Sequence, residues 1–336
     1  MAAALLLAAS AVPVLGGVAA SEESPEDLKA RMAAIQADLD ATTQKVEDLH
    51  AAEERLETEV SGIAERVEVL ENRKKKLTVV VAERADELYR SGATSMVEVL
   101  MSSESIVELS EKAEILSQAS LDDNAAFVDM SRTMSELEHL SEQLAEREKT
   151  LAATEEEYLA EADRLQSQFD SVSAEYAELQ RRLARVAPTS SAPAVVAAPA
   201  ASSIPSTNGK ACPIGQPHSF IDSWGYPRSG GRTHEGVDMM ASYGTPVYAI
   251  VSGSITYAGY GDSAGNWQIL SGSDGNAYWY MHNQTNMVSG GSVQAGQQIA
   301  TVGDTGNATG VPHLHFEYHP GGGGAVNPYP LVAAIC

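Results

Sequence analysis

Positive charge is scarce in this chain: 22 Lys and Arg stand against 46 Asp and Glu, a formal net charge of −24. That shortage argues against nucleic acid as a partner, because phosphate binding needs basic patches. The charge is also uneven. From Pro188 onward only seven acidic and three basic residues remain, so the acidity belongs to the first half and 336 residues divide into two unlike domains. Cysteine is nearly missing. The two present, Cys212 and Cys336, have no second cysteine at ligand spacing, which disfavours a thiolate metal cluster. Histidine is sparse as well, yet three of the eight, His313, His315 and His319, fall within seven residues.

The first twenty residues lack any charged side chain and end in small residues, with Val18 and Ala20 at an A-x-A-like site. This pattern predicts a cleaved signal peptide over 1–20, with Pro13, Gly16 and Gly17 disfavouring a membrane anchor. The rest of the chain is then expected outside the cytoplasm, secreted or associated with the envelope. In that setting an even cysteine pair most simply forms one disulfide, Cys212 to Cys336.

From Leu28 an alternating four-three step runs through Met32, Ile35, Leu39, Thr42, Val46, Leu49 and on to Leu88. A second such seam runs from Leu137 through Leu151, Tyr158 and Phe169 to Val186, with a stutter near Tyr158. Sixty residues of helix make a rod of about 90 Å. Between the seams, Ser91-Gly92 is expected to interrupt the rod, with short helices forming an elbow near 91–118. The economical arrangement over 21–187 is an all-α antiparallel coiled-coil hairpin; a parallel homodimer is the rival. The Ala/Pro/Ser-rich segment 188–211 reads as a linker.

After Cys212 helical periodicity stops, and short apolar runs such as "TPVYAIVSGSITYAG" and "AYWYMH" lie between Gly, Asn and Asp turns. These predict a compact antiparallel all-β domain over 212–336. In a strand, His313 and His315 of "HLHFE" project to one face while Leu314 and Phe316 enter the core. "HEGVDM" puts His234 and Asp238 on one face, with Gly236 leaving room, and His282 follows an apolar strand in "WYMHN". Histidines and a carboxylate from separate strands suit zinc with an open position for water. Spacing alone leaves open which histidines ligate. His319 is expected in a loop, and His218, His50 and His139 at the surface.

"HEGVDM", "WYMHN" and "HLHFE", with "GTPVYA" after the first and "GDTGNATG" before the last, resemble the lysostaphin-type or LytM-like zinc endopeptidases of bacterial cell walls. The resemblance covers about Cys212 to Cys336. It implies one zinc ion held by His234, Asp238 and His315, with His282 and His313 as catalytic histidines that move protons to and from the peptide being cleaved. It also implies peptidoglycan stem peptides or cross-links as substrate. Arg228 and Arg232 are candidates for binding substrate carboxylates. The helical half resembles, through "YRSGATSMVEVLMSSES", the hairpins of exported cell-division hydrolases and hydrolase activators. It implies a membrane-bound division complex as partner, and a non-enzymatic activator of another hydrolase as the alternative function.

Overall fold

The computed structural model describes residues 24–101, 106–186, 203–206 and 208–336. The expected signal peptide and most of the expected linker lie outside them. Helix α1 spans Pro25–Met101 and helix α2 spans Ile106–Val186. At α1's start, Ser24 Oγ accepts from Asp27 N while Ser24 N donates to Asp27 Oδ2, a reciprocal cap that satisfies otherwise orphaned donors.

The two helices pack antiparallel. Lys45 pairs with Glu161, Arg66 with Glu136 and Arg73 with Asp129, so one sequence rises as the other falls. The seam buries Leu28, Leu39, Val46 and Leu70 of α1 against Leu140, Tyr158, Leu165, Phe169 and Leu179 of α2. One expectation fails: α1 passes through Ser91-Gly92 without a break and continues to Met101. A single glycine costs a helix only about 1 kcal/mol, which a helix of 77 residues absorbs.

The β domain opens with a short ribbon of β1 (Pro227–Arg228) and β2 (Arg232–Thr233). The remaining strands are β3 (Val237–Met240), β4 (Pro246–Tyr248), β5 (Gly253–Gly261), β6 (Gly265–Gly272), β7 (Ala277–Asn286), β8 (Gly291–Val293), β9 (Gln298–Val302) and β10 (His313–His319). All pairings are antiparallel. The main order is β3-β10-β7-β6-β5-β8, and β9 bridges β7 to β4. Beneath one face lies a core of Met239, Ile250, Leu270, Tyr278, Tyr280, Ile299, Leu314 and Phe316. Helix α3 (Tyr329–Ala333) closes the chain, and the Cys212–Cys336 disulfide ties the domain's two ends together across 124 residues.

Ser203 bridges Gln297, Ile204 N donates to Gly296 O, and Ala211 N donates to Ile250 O, so the end of the expected linker is already attached.

The hairpin lies against the β domain. Met240 and Val311 join Leu39, Val46, Tyr158, Ala162, Leu165 and Phe169 in one apolar cluster. Beside it runs a polar stripe of α1. Gln36 Nε2 donates to His218 O at 2.9 Å, Ser219 Oγ donates to Asp40 Oδ1 at 2.6 Å, and Ser229 N donates to Glu54 Oε2. Two histidines expected at the surface are covered. His218 is buried with Nδ1 donating to Gly215 O, and His50 is half-buried with its ring stacked on Tyr158. His139 is exposed, as expected.

Candidate active site

Sheet register assembles the histidines. On β10, His315 pairs with Asp238 of β3 on one side and Met281 of β7 on the other, which brings His282 alongside. His313, two residues earlier on the same face, pairs with Met240. His234 precedes β3, with Nδ1 donating to Ser223 O at 2.9 Å.

Three donor atoms converge. His234 Nε2 lies 3.1 Å from Asp238 Oδ1 and 3.0 Å from His315 Nδ1, and that nitrogen lies 2.8 Å from Asp238 Oδ1. The outer nitrogens fix the tautomers. Nδ1 of His234 gives its hydrogen to a backbone carbonyl, and Nε2 of His315 gives its hydrogen to Glu317 Oε1 at 3.1 Å. In the neutral rings the two facing nitrogens are therefore both lone pairs. Lone pairs turned on each other beside a carboxylate oxygen need a cation between them, and two imidazoles with one carboxylate suit zinc. The donor set thus fits the ion.

Gly236 makes the approach feasible. A Cβ there would stand 2.6 Å from His315 Cε1 and Nε2 and 2.8 Å from Phe316 O. Behind the site, Arg228 Nη2 donates to Asp238 Oδ2 at 2.8 Å in a buried pair that leaves Oδ1 for the centre. Arg228 therefore contacts a candidate ligand, whereas Arg232 is exposed, with Nε donating to Ser229 O.

Glu317 and His319 were not singled out in the sequence as parts of a site. Glu317 Oε2 lies 2.7 Å from His319 Nε2, and His319 Nδ1 donates to Gly323 O while its ring stacks on Trp279. His319 is thus not a loop residue but the buried last residue of β10. The alternation His313, His315, Glu317, His319 was the available signal: every second residue of one strand faces the same way.

Charge in the cleft is strongly biased. Burial opposes a charge on His315, yet the hydrogen bonds it donates to Asp238 and Glu317 raise its pKa to about 9. A place that holds a proton so firmly is one where a metal cation is also welcome. Burial raises Asp238, but His234 and His313 hold it well below the usual carboxylate range.

The other two histidines behave differently. Burial lowers His313 to about 4, and burial with the neighbouring His313 and His315 pushes His282 well below its ordinary value. Both stay neutral at pH 7. His313 Nδ1 donates to Val311 O at 2.7 Å and His282 Nδ1 donates to Thr305 O at 2.8 Å, so each presents Nε2 as a proton acceptor. Their ring centres are 4.8 Å apart. His282 has a backbone φ of 61°, left-handed and sparsely populated for a residue with a side chain, where β7 turns from one neighbour to the next.

The cleft has a volume of about 260 Å³ and is lined by the five residues just described, by Arg228, and by His50 and Tyr158 of the hairpin. The hairpin therefore forms one of its walls.

Residues 232–328 match the model of "Peptidase family M23". Lysostaphin of Staphylococcus staphylolyticus is 47% identical over 90 residues, 26% of this chain and 18% of that protein. The peptidoglycan DD-endopeptidase ShyC of Vibrio cholerae is 38% identical over 88 residues, 26% of this chain and 20% of that protein. The chain thus spans about a fifth of the length of these curated relatives. Among solved structures, the catalytic domain of the prophage-encoded M23 protein EnpA from Enterococcus faecalis is 30% identical, covering 35% of this chain and 94% of that one, with a TM-score of 0.32. Behind a hairpin of two long helices, residues 232–328 of the β domain thus form a peptidase family M23 domain.

Proposed function

We propose that the chain is a zinc-dependent endopeptidase that hydrolyses peptide bonds in peptidoglycan stem peptides or cross-links, acting outside the cytoplasm in wall remodelling or division. The observation that carries this reading is the meeting of His234 Nε2, Asp238 Oδ1 and His315 Nδ1 beside the two neutral histidines His282 and His313. His234, Asp238 and His315 would hold the ion. When bound, zinc supplies Lewis-acid chemistry, polarising a carbonyl and acidifying water.

The chain's own residues do the rest. His313 or His282 accepts the proton of the attacking water at Nε2, and the protonated ring then stabilises charge on the carbonyl oxygen or donates to the leaving amine. Glu317 and Ser223 O keep the ligating rings in the productive tautomer. Arg228 holds Asp238. An exposed Arg232 at the rim is placed to meet a carboxylate of the substrate. The hairpin is the part that a membrane-bound division complex would engage, and its place on the cleft gives such a partner something to change.

Mass spectrometry of cross-linked peptidoglycan fragments after incubation with the zinc-loaded protein tests the activity. His315→Ala is the control, and Val311→Asp, which should withdraw the hairpin, provides an open form. New fragments that require His315 are expected and would identify the bond. Absence of cleavage by the open, zinc-loaded form across several wall types would sink the enzyme reading and favour an activator of another hydrolase.

A further inference from the structure

The face of the sheet that bears the cleft continues past it. Leu270, Tyr278 and Tyr280 enter the core, so the alternate residues Trp267 and Ile269 of β6 and Trp279 of β7 turn to the opposite face, that of His315 and Glu317. Register carries this face outward: Glu317 pairs with Trp279, Trp279 with Ile269, and Ile269 with Tyr257 of β5. The rings form an unbroken row. His319 and Trp279 have ring centres 4.4 Å apart, Trp279 and Trp267 5.2 Å, and Trp267 and Tyr257 4.4 Å. At its inner end His319 meets Glu317, which holds His315, so the row starts at the cleft. From there it crosses to β5, away from Met240 of β3 and Val311, where the hairpin packs.

The row is open to solvent. Tyr257 is 40% exposed and both tryptophans are half-buried; contiguous exposed aromatic area marks a contact surface. Tyr257 also lies down along the sheet. A Cβ on Gly259 would stand 2.7 Å from Tyr257 Cζ, so the glycine is the gap that admits the ring.

We propose that Tyr257, Trp267 and Trp279 form a saccharide platform, which holds pyranose rings of the glycan strand whose peptide stems enter the cleft. The inference rests on the peptidoglycan reading, because a stem seated beside His315 brings its attached sugars to this same face. A pyranose has an apolar C–H face and a rim of hydroxyls. Its C–H groups meet the negative face of an aromatic ring, while indole N–H and phenol O–H at the ring edges reach the hydroxyls. Free carboxylates and amines of a peptide need charged partners, and the three side chains offer none.

Glycan strands freed of their peptides are titrated into the metal-loaded full chain by calorimetry. Tyr257→Ala and Trp267→Ala are each expected to weaken binding about tenfold, and Trp267→Phe, which keeps a ring, by less. Tyr257 is exposed, so its removal leaves the core intact, and thermal midpoints check the folding of all three. If the wild-type chain binds no peptide-free glycan, or if both alanine variants bind as tightly as wild type, this inference falls while the peptidase reading, judged by fragment release, stands. Ring-dependent binding by a chain that releases no fragments would keep the platform and sink the enzyme. Dimers that Tyr257→Ala dissolves and glycan does not would assign the row to a second copy of the chain and overturn the proposal.

Discussion

His315 is constrained by Asp238 at one ring nitrogen, Glu317 at the other and Gly236 against its face. His315→Ala should therefore lose both metal and activity. His282 has no bond to the three converging atoms, so His282→Ala should keep the metal and lose roughly 10²–10⁴-fold in rate. Metal analysis alongside peptidoglycan cleavage separates the two, and a metal-bound, fully active His282→Ala protein would remove His282 from the mechanism. Gly236→Ala tests the close approach. Its Cβ meets a backbone oxygen as well as the ring, so His315 must move, and overpacking of this kind costs about 1–3 kcal/mol. Weaker metal binding than wild type is expected by chelator competition; unchanged binding would show that the strand can shift. Much of this site was legible from strand alternation at His313 and His315 and from the place left by Gly236. The aromatic row beyond it was not. Tyr257 lies two residues from the buried Ile255, so strict alternation would send it into the core, and only the bulge between them turns it outward.

At the scale of elements, apolar periodicity carried the most information, because a four-three step has only one way to bury its residues. The seam from Leu28 to Val81 is at least half-buried throughout, but the period alone left the parallel arrangement open, and ion pairs such as Lys45 with Glu161 make it antiparallel. Periodicity said less about where a helix stops, hence the unbroken passage of α1 through Gly92. It also said nothing about polar residues buried by docking. Nor did it show that His218 is buried within the β domain, its ring bonded to Gly215 O and stacked on Phe220. Burial lowers its pKa from 6.5 to about 4, so the folded state resists its protonation. Because the folded value lies below the unfolded one, the stability it contributes is present above pH 6.5 and drains away as the pH falls towards 4. The shift corresponds to about 3 kcal/mol. His218→Gln can keep a hydrogen bond to Gly215 O without titrating, so its urea midpoint should fall less than that of wild type between pH 7 and pH 4.5. Equal losses in both proteins would mean that other groups carry the acid sensitivity.

The whole molecule couples a rod of 77 and 81 residues per arm to a small β domain through a contact that also forms a wall of the cleft. The contact has an apolar half around Met240 and Val311 and a polar half from Gln36 to Glu54. Val311 gives a way to separate the parts. It is buried in the cluster shared with the hairpin, so Val311→Asp would bury an unpaired carboxylate only while the two remain docked. Once they part, water solvates it. Mutational costs for burying a polar group without a partner run at about 1–3 kcal/mol, and more for a charge. At 1.4 kcal/mol per factor of ten, a cost of about 3 kcal/mol raises the undocked fraction roughly a hundredfold. Small-angle scattering should show a larger radius of gyration, and peptidoglycan cleavage should rise with the exposed cleft. A larger radius with no gain in cleavage would make the hairpin a tether rather than a cover. An unchanged radius would mean that the remaining hydrogen bonds hold the hairpin in place without the apolar half.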